Sequence, residues 1–209
     1  MFLKSFVEVD EAVAVVQREG IIPHPCVPKN WDLSLVVPQL SGDVLDMGCN
    51  GSMVLANCVN RKLAGKKIGI DLIPSQAPPG AIHLVGSLTE TGLESRSFDC
   101  ITCLSVVEHG VNVPNFFRES VRLLKESGRL FITFDYWDPK IRPTMTIFGL
   151  PWHIFSKDDV IAMIWVADQY GLKPVRPVDW TLGIPVINPS NISPCELGYT
   201  FGFIEFCKS

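Results

Sequence analysis

From residue 43 to residue 137, short apolar runs and helix-patterned stretches take turns along the chain. Residues 43–49 (DVLDMGC) are nearly all apolar, as in a strand buried on both faces of a parallel sheet. Residues 52–63 place Val54, Leu55, Cys58 and Val59 on one side of a helix that Gly65 would stop. Strands are predicted again at 66–73, 81–87, 98–107 and 128–137. A helix at 114–125 carries Phe117, Val121 and Leu124 on one face, with Pro114 in its first turn and Gly128 past its end. Parallel strands need crossovers that run back along the sheet, so this alternation predicts a parallel sheet covered by helices.

The flanks complete the pattern. Asp10 can cap a helix over 11–19, with Phe6, Val9, Val13 and Val16 at helical spacing and Gly20 as the stop. Residues 21–30 (IIPHPCVPKN) hold three prolines and predict an irregular connector. Ser156 can cap a helix reaching residue 170, with Asp158 and Asp159 favourable in its first turn. Two strand-like segments, 173–180 and 199–208, close the chain with only a Pro/Asn/Ser-rich loop between them. A connection without a helix suits antiparallel neighbours, so the last strand is expected to enter the sheet antiparallel. The expected fold is α/β: a doubly wound, mostly parallel, seven-stranded sheet with one late antiparallel strand.

Composition agrees with a single core-forming domain: 209 residues, 47% hydrophobic and 19% charged, with mean hydropathy +0.25. The formal net charge of −4 gives no electrostatic attraction to phosphate backbones, which argues against a nucleic-acid binder. No apolar run is long enough to span a bilayer, and Glu8 and Asp10 interrupt the start before a leader core could form. A cytoplasmic protein is expected. The seven cysteines (26, 49, 58, 100, 103, 195 and 207) mostly sit in apolar runs and read as reduced core residues. Cys100 and Cys103 are three apart on a predicted strand and so point to opposite faces; no metal site is expected.

Ligands of an open α/β sheet bind beyond the carboxyl ends of its strands, near the point where strand order reverses. That places the chemistry at residues 46–52, 71–73, 86–88 and 104–109. Gly48 and Gly51 permit a tight turn and close backbone approach, and Asn50 tolerates a left-handed conformation. Asp71, ending the second strand, can accept both hydroxyls of a ribose. VLDMGCNGS, GIDLIP, FDCITCLSVVEHG and LLKESGRLFITFDYW, in this order, resemble the class I S-adenosylmethionine-dependent methyltransferases, in particular the type 11-like small-molecule group. The resemblance covers residues 44–137 and implies a Rossmann-like fold, S-adenosylmethionine as cofactor and a small-molecule acceptor. It implies cofactor contacts from Asp46, Gly48, Cys49, Asn50, Gly51, Asp71, Leu72, Ser87, Leu88 and Leu104. Asn50 and Ser52 stand where the usual loop has glycine, and Ser87 where an acid or amide often lies.

The whole chain then reads as one methyltransferase domain. Residues 1–42 are helix and connector, 43–137 the cofactor-binding core, 138–155 a lid insertion, and 156–209 the closing helix and strand pair. His109 is the candidate for acid/base or substrate-orienting work. Trp31, Trp152 and His153, with His24, are expected to roof the acceptor pocket. Two other readings share the pattern. A nicotinamide-dependent oxidoreductase would need G-x-G-x-x-G, which Gly48-Cys-Asn-Gly51-Ser-Met lacks, and a non-catalytic binding subunit would accommodate the departures at Asn50, Ser52 and Ser87.

Overall fold

The structure, a computed structural model, describes residues 1–188 and 197–208; Cys195 and much of the loop before the last strand lie outside them. Strands β1 (Val44–Met47), β2 (Lys67–Asp71), β3 (Ile82–Val85), β4 (Phe98–Leu104), β5 (Leu124–Tyr136), β8 (Leu172–Pro174) and β9 (Thr200–Lys208) form one sheet in the order β3-β2-β1-β4-β5-β9-β8. The pairings among β1 to β5 are parallel, and β9 runs antiparallel to both β5 and β8. A two-stranded hairpin, β6 (Thr146–Ile147) with β7 (Leu150–Pro151), stands apart. The seven-stranded sheet with its late antiparallel strand is as expected.

Side-chain alternation divides the core into two layers. Leu45, Met47, Ile101, Cys103, Ile132 and Phe134 face one way, under α4 (Val113–Leu123) and α5 (Lys157–Gln169) through Phe116, Phe117, Val160 and Met163. Val44, Cys100 and Phe131 face the other way, under α1 (Phe6–Arg18), α2 (Asn30–Val36) and α3 (Met53–Asn60) through Val9, Val36 and Val54. Cys100 and Cys103 therefore lie on opposite faces of β4. Cys49, Cys58, Cys100 and Cys103 are buried free thiols, whereas Cys26 and Cys207 are only partly buried.

Several boundaries differ from expectation. Helix α1 starts at Phe6, not residue 11, because Ser5 Oγ accepts the Glu8 N–H at 3.3 Å and supplies the cap. Its core face is Val9, Ala12 and Val16, while Phe6 is exposed. The proline-rich connector gives way to α2, preceded by a 3-10 turn at Val27–Lys29 that carries Pro28 at its start. Gly128 does not terminate a helix: α4 ends at Leu123, and Gly128 falls within β5 beside a register shift against β4. Of the strand expected at 173–180, only its first two residues pair, within Leu172–Pro174. Among the described residues, no helix is long and apolar enough to cross a membrane.

Candidate functional site

Strand order reverses between β1 and β4, and a cavity of about 670 Å³ opens there, a volume ordinary for a small-molecule site. The β1–α3 loop forms one wall. Gly48 and Gly51 adopt φ of +79° and +66°. A Cβ at Gly48 would stand 2.3 Å from Val106 Cγ2, so this position needs glycine for space as well as for conformation. The Gly48 N–H donates to Ile70 O at 2.8 Å and pins the loop to β2. Asn50 does not have the left-handed conformation expected of it; the two glycines absorb that geometry.

Asp46, within β1, is a buried carboxyl, 4% exposed and facing the cavity. Thr102 Oγ1 donates to its Oδ1 at 2.6 Å, and Ser52 Oγ donates to its Oδ2. Burial pushes the Asp46 pKa up to about 6, against the opposing pull of the Ser52 and Thr102 hydroxyls. Ser52 also caps α3 by accepting the Leu55 N–H at 2.9 Å. The serine in place of a loop glycine thus has two structural tasks.

Asp71 closes the opposite side. Its Oδ2 accepts the Asn50 N–H at 2.9 Å and its Oδ1 the Ile73 N–H at 3.0 Å. An ionised carboxylate has roughly four lone-pair positions, so one remains on each oxygen, enough for two vicinal hydroxyls. Leu72, Ser87, Leu88 and Leu104 line the same cavity. Ser87 Oγ is paired with Thr89 Oγ1 at 2.8 Å. Cys49 does not line it: its side chain packs behind the loop, where the Sγ meets His83 Nδ1 at 3.2 Å. Burial first, then Asp46 and Asp71, push the Cys49 thiol up to about 12, which leaves it inert as a nucleophile.

His109 lines the far end of the cavity, with Phe148 edge-on at 5.8 Å between ring centroids. Its Nδ1 is buried without a hydrogen-bond partner. Burial, then the Lys29 and His153 charges, lower its pKa to about 4, so the imidazole is neutral at pH 7.

Of the four residues expected to roof the pocket, His24 alone lines the cavity. Trp31 and Trp152 are 4% and 2% exposed and belong to the core beneath α2 and the β6–β7 segment. Trp152 Nε1 donates to Asp135 Oδ2 at 2.8 Å, which holds its indole inside rather than over the pocket. His153 is exposed, its N–H tied to the Glu108 carbonyl, and it is not among the cavity-lining residues. The same two segments do reach the cavity, through His24, Lys29, Asp32 and Leu33 on one side and Phe148 and Leu150 on the other. Lys29 carries no sequence signal because a connector expected to be irregular has no faces to assign, and Asp32 lies just beyond that connector.

Residues 45–132 match the family described as "Methyltransferase domain". A ubiquinone biosynthesis O-methyltransferase of Xanthomonas oryzae pv. oryzae is 28% identical over 101 residues, covering 43% of this chain and 41% of the relative. The matched region therefore spans less than half the length of that curated relative. Among solved structures, geranyl diphosphate C-methyltransferase from Streptomyces coelicolor, in complex with Mg2+, geranyl diphosphate and S-adenosyl-L-homocysteine, superposes with TM-score 0.61 at 16% identity, over 96% of this chain and 84% of that one. An S-adenosylmethionine-dependent methyltransferase from Mesorhizobium loti gives TM-score 0.61 at 14% identity, over 86% and 97%. Residues 45–132 are thus similar to a methyltransferase domain, and the chain shares the fold of these solved methyltransferases.

Proposed function

We propose that this protein transfers a methyl group from S-adenosylmethionine to a small-molecule acceptor. The observation that carries this reading is the placement of Asp46, Gly48, Gly51 and Asp71 around one cavity at the switch point. The residues fit the donor: Asp71 keeps lone pairs for ribose hydroxyls, the two left-handed glycines bring backbone close to the ligand, and Asp46 offers a carboxyl to a cationic group. Leu72, Ser87 and Leu88 would flank the base, and Leu104 the centre of the cavity. The bound donor supplies an activated methyl on a sulfonium whose leaving group is a neutral thioether. What remains for the chain is to align the acceptor and exclude water.

Phe148 and Leu150, on the β6–β7 hairpin, cover the acceptor end together with the 24–33 segment. His109 suits orientation better than proton removal. A pKa of about 4 makes it a weak base, but its neutral ring in the cavity wall can hydrogen-bond the acceptor. The relative named for ubiquinone biosynthesis supports an acceptor of small-molecule size. Isothermal titration with S-adenosylhomocysteine and with NAD tests the proposal. Saturable binding of the first and none of the second is expected; the reverse would return the chain to the oxidoreductase reading.

A further inference from the structure

Four ionisable side chains converge where α2 and the preceding turn meet the ends of β4 and β5. Lys29 Nζ lies 3.7 Å from Asp32 Oδ2, donates to Ser105 Oγ and sits 3.8 Å from the centre of the Phe201 ring. Asp135 and Glu108 add two further carboxyls close enough to act on the Lys29 charge. Glu108 is 0% exposed with both oxygens unpartnered, and Asp32 is 3% exposed with Oδ1 unpartnered although Thr133 Oγ1 reaches its Oδ2 at 3.2 Å. Buried polar atoms without partners are uncommon and call for an explanation. Lys29 and Asp32 stand in the cavity wall, next to Ser105 and His109, and neither is used by the donor-binding loop.

We propose that Lys29 and Asp32 form the acceptor subsite and that it takes a neutral hydroxyl, alcohol or phenol, whose proton Asp32 removes. This rests on the methyl-transfer reading above. A hydroxyl needs a donor for its oxygen and an acceptor for its hydrogen, and the pair offers one of each: the Lys29 ammonium and the Asp32 carboxylate. An ammonium acceptor would meet the like charge of Lys29, while a carboxylate acceptor would meet three carboxyls. In the transfer, the acceptor oxygen bonds to the methyl carbon as the carbon–sulfur bond breaks, the electron pair stays on sulfur, and the hydroxyl proton passes to Asp32. The ammonium stabilises the oxyanion as it develops, strongly so in a site with little water. Burial lowers the Lys29 pKa, but Asp32, then Asp135 and Glu108, outweigh it and keep the ammonium charged. Burial pushes the Asp32 carboxyl up against the pull of Lys29, towards the basicity a proton acceptor needs.

The test uses the full chain saturated with S-adenosylhomocysteine, its binding first measured by calorimetry. Phenol, benzylammonium and benzoate are then titrated as probes by ligand-observed NMR. The wild type is expected to prefer phenol, and Asp32→Asn and Lys29→Met each to weaken phenol binding by roughly tenfold while keeping S-adenosylhomocysteine affinity. Using two variants, with circular dichroism on each, separates loss of the subsite from loss of the fold. A preference for benzoate or benzylammonium, no preference, no detectable binding of phenol, or phenol binding untouched in two folded variants would overturn the inference. Failure of S-adenosylhomocysteine to bind the wild type would instead overturn the methyl-transfer reading itself, and this inference with it.

Discussion

At the residue scale, the β1–α3 loop depends on two glycines and one carboxyl. Gly48 combines a φ of +79° with Val106 methyls where a Cβ would be, so Gly48→Ala is strained twice over. We expect a loss of about 1–3 kcal/mol in denaturant unfolding, together with weaker S-adenosylhomocysteine binding. Asn50 contributes its backbone N–H to Asp71 and is exposed, so Asn50→Val is expected to cost less than about 0.5 kcal/mol. A larger cost for Asn50→Val than for Gly48→Ala would reverse this assignment. Asp46 gives a pH dependence. Its pKa near 6 in the folded chain lies above the ordinary 3.8, so the protonated form is favoured by folding, and the stability it contributes is lost as pH rises from about 4 through about 6. A cationic ligand favours the opposite, ionised form. S-adenosylmethionine affinity is therefore expected to rise with pH through about 6 and level off above, and Asp46→Asn to flatten that profile; calorimetry at a series of pH values reads both.

At the scale of elements, the strands and the donor loop were legible in the sequence because their signals are local: apolar runs, glycines, and acids at strand ends. The connector was not. Prolines at 23, 25 and 28 read as irregular, yet Pro28 opens a turn that leads into α2 and brings Lys29 and Asp32 to the cavity. Asn50 misled because tolerance of a left-handed backbone does not require it when glycines stand on either side. Trp152 misled because an aromatic in an insertion can roof a pocket or plug a core, and only the partner of its indole decides. That partner is Asp135, a buried carboxyl pushed up to about 6 by burial despite the nearby Lys29 charge. Trp152→Phe removes the N–H and leaves Asp135 short of a donor, at an expected cost of about 1–3 kcal/mol with S-adenosylhomocysteine affinity unchanged. In hydrogen exchange, the hairpin residues 146–151, not Trp152, are expected to slow when ligand binds. Unchanged stability in that variant, with lost ligand affinity, would restore Trp152 to the roof.

At the scale of the molecule, β9 ties the ends of the chain together. It lies between β5 and β8, pairs along eight positions of β5, and accepts the N-terminal segment at its far end, where the Leu3 N–H donates to Phe201 O at 2.9 Å and Thr200 Oγ1 to Leu3 O at 2.6 Å. That closure holds α1 and α2 over the same sheet face as the β1–α3 loop, so the proposed donor pocket and acceptor wall belong to one packed layer. The proposed function puts the nucleoside between the ends of β1 and β2, with its ribose on Asp71. The direct test is the S-adenosylhomocysteine affinity of Asp71→Ala against wild type by isothermal titration. Loss of hydrogen bonds to a charged acceptor, at about 1.5–3 kcal/mol, predicts affinity roughly ten- to a hundredfold weaker in a variant that remains folded. Equal affinity in wild type and variant would place the ribose elsewhere and contradict the assignment.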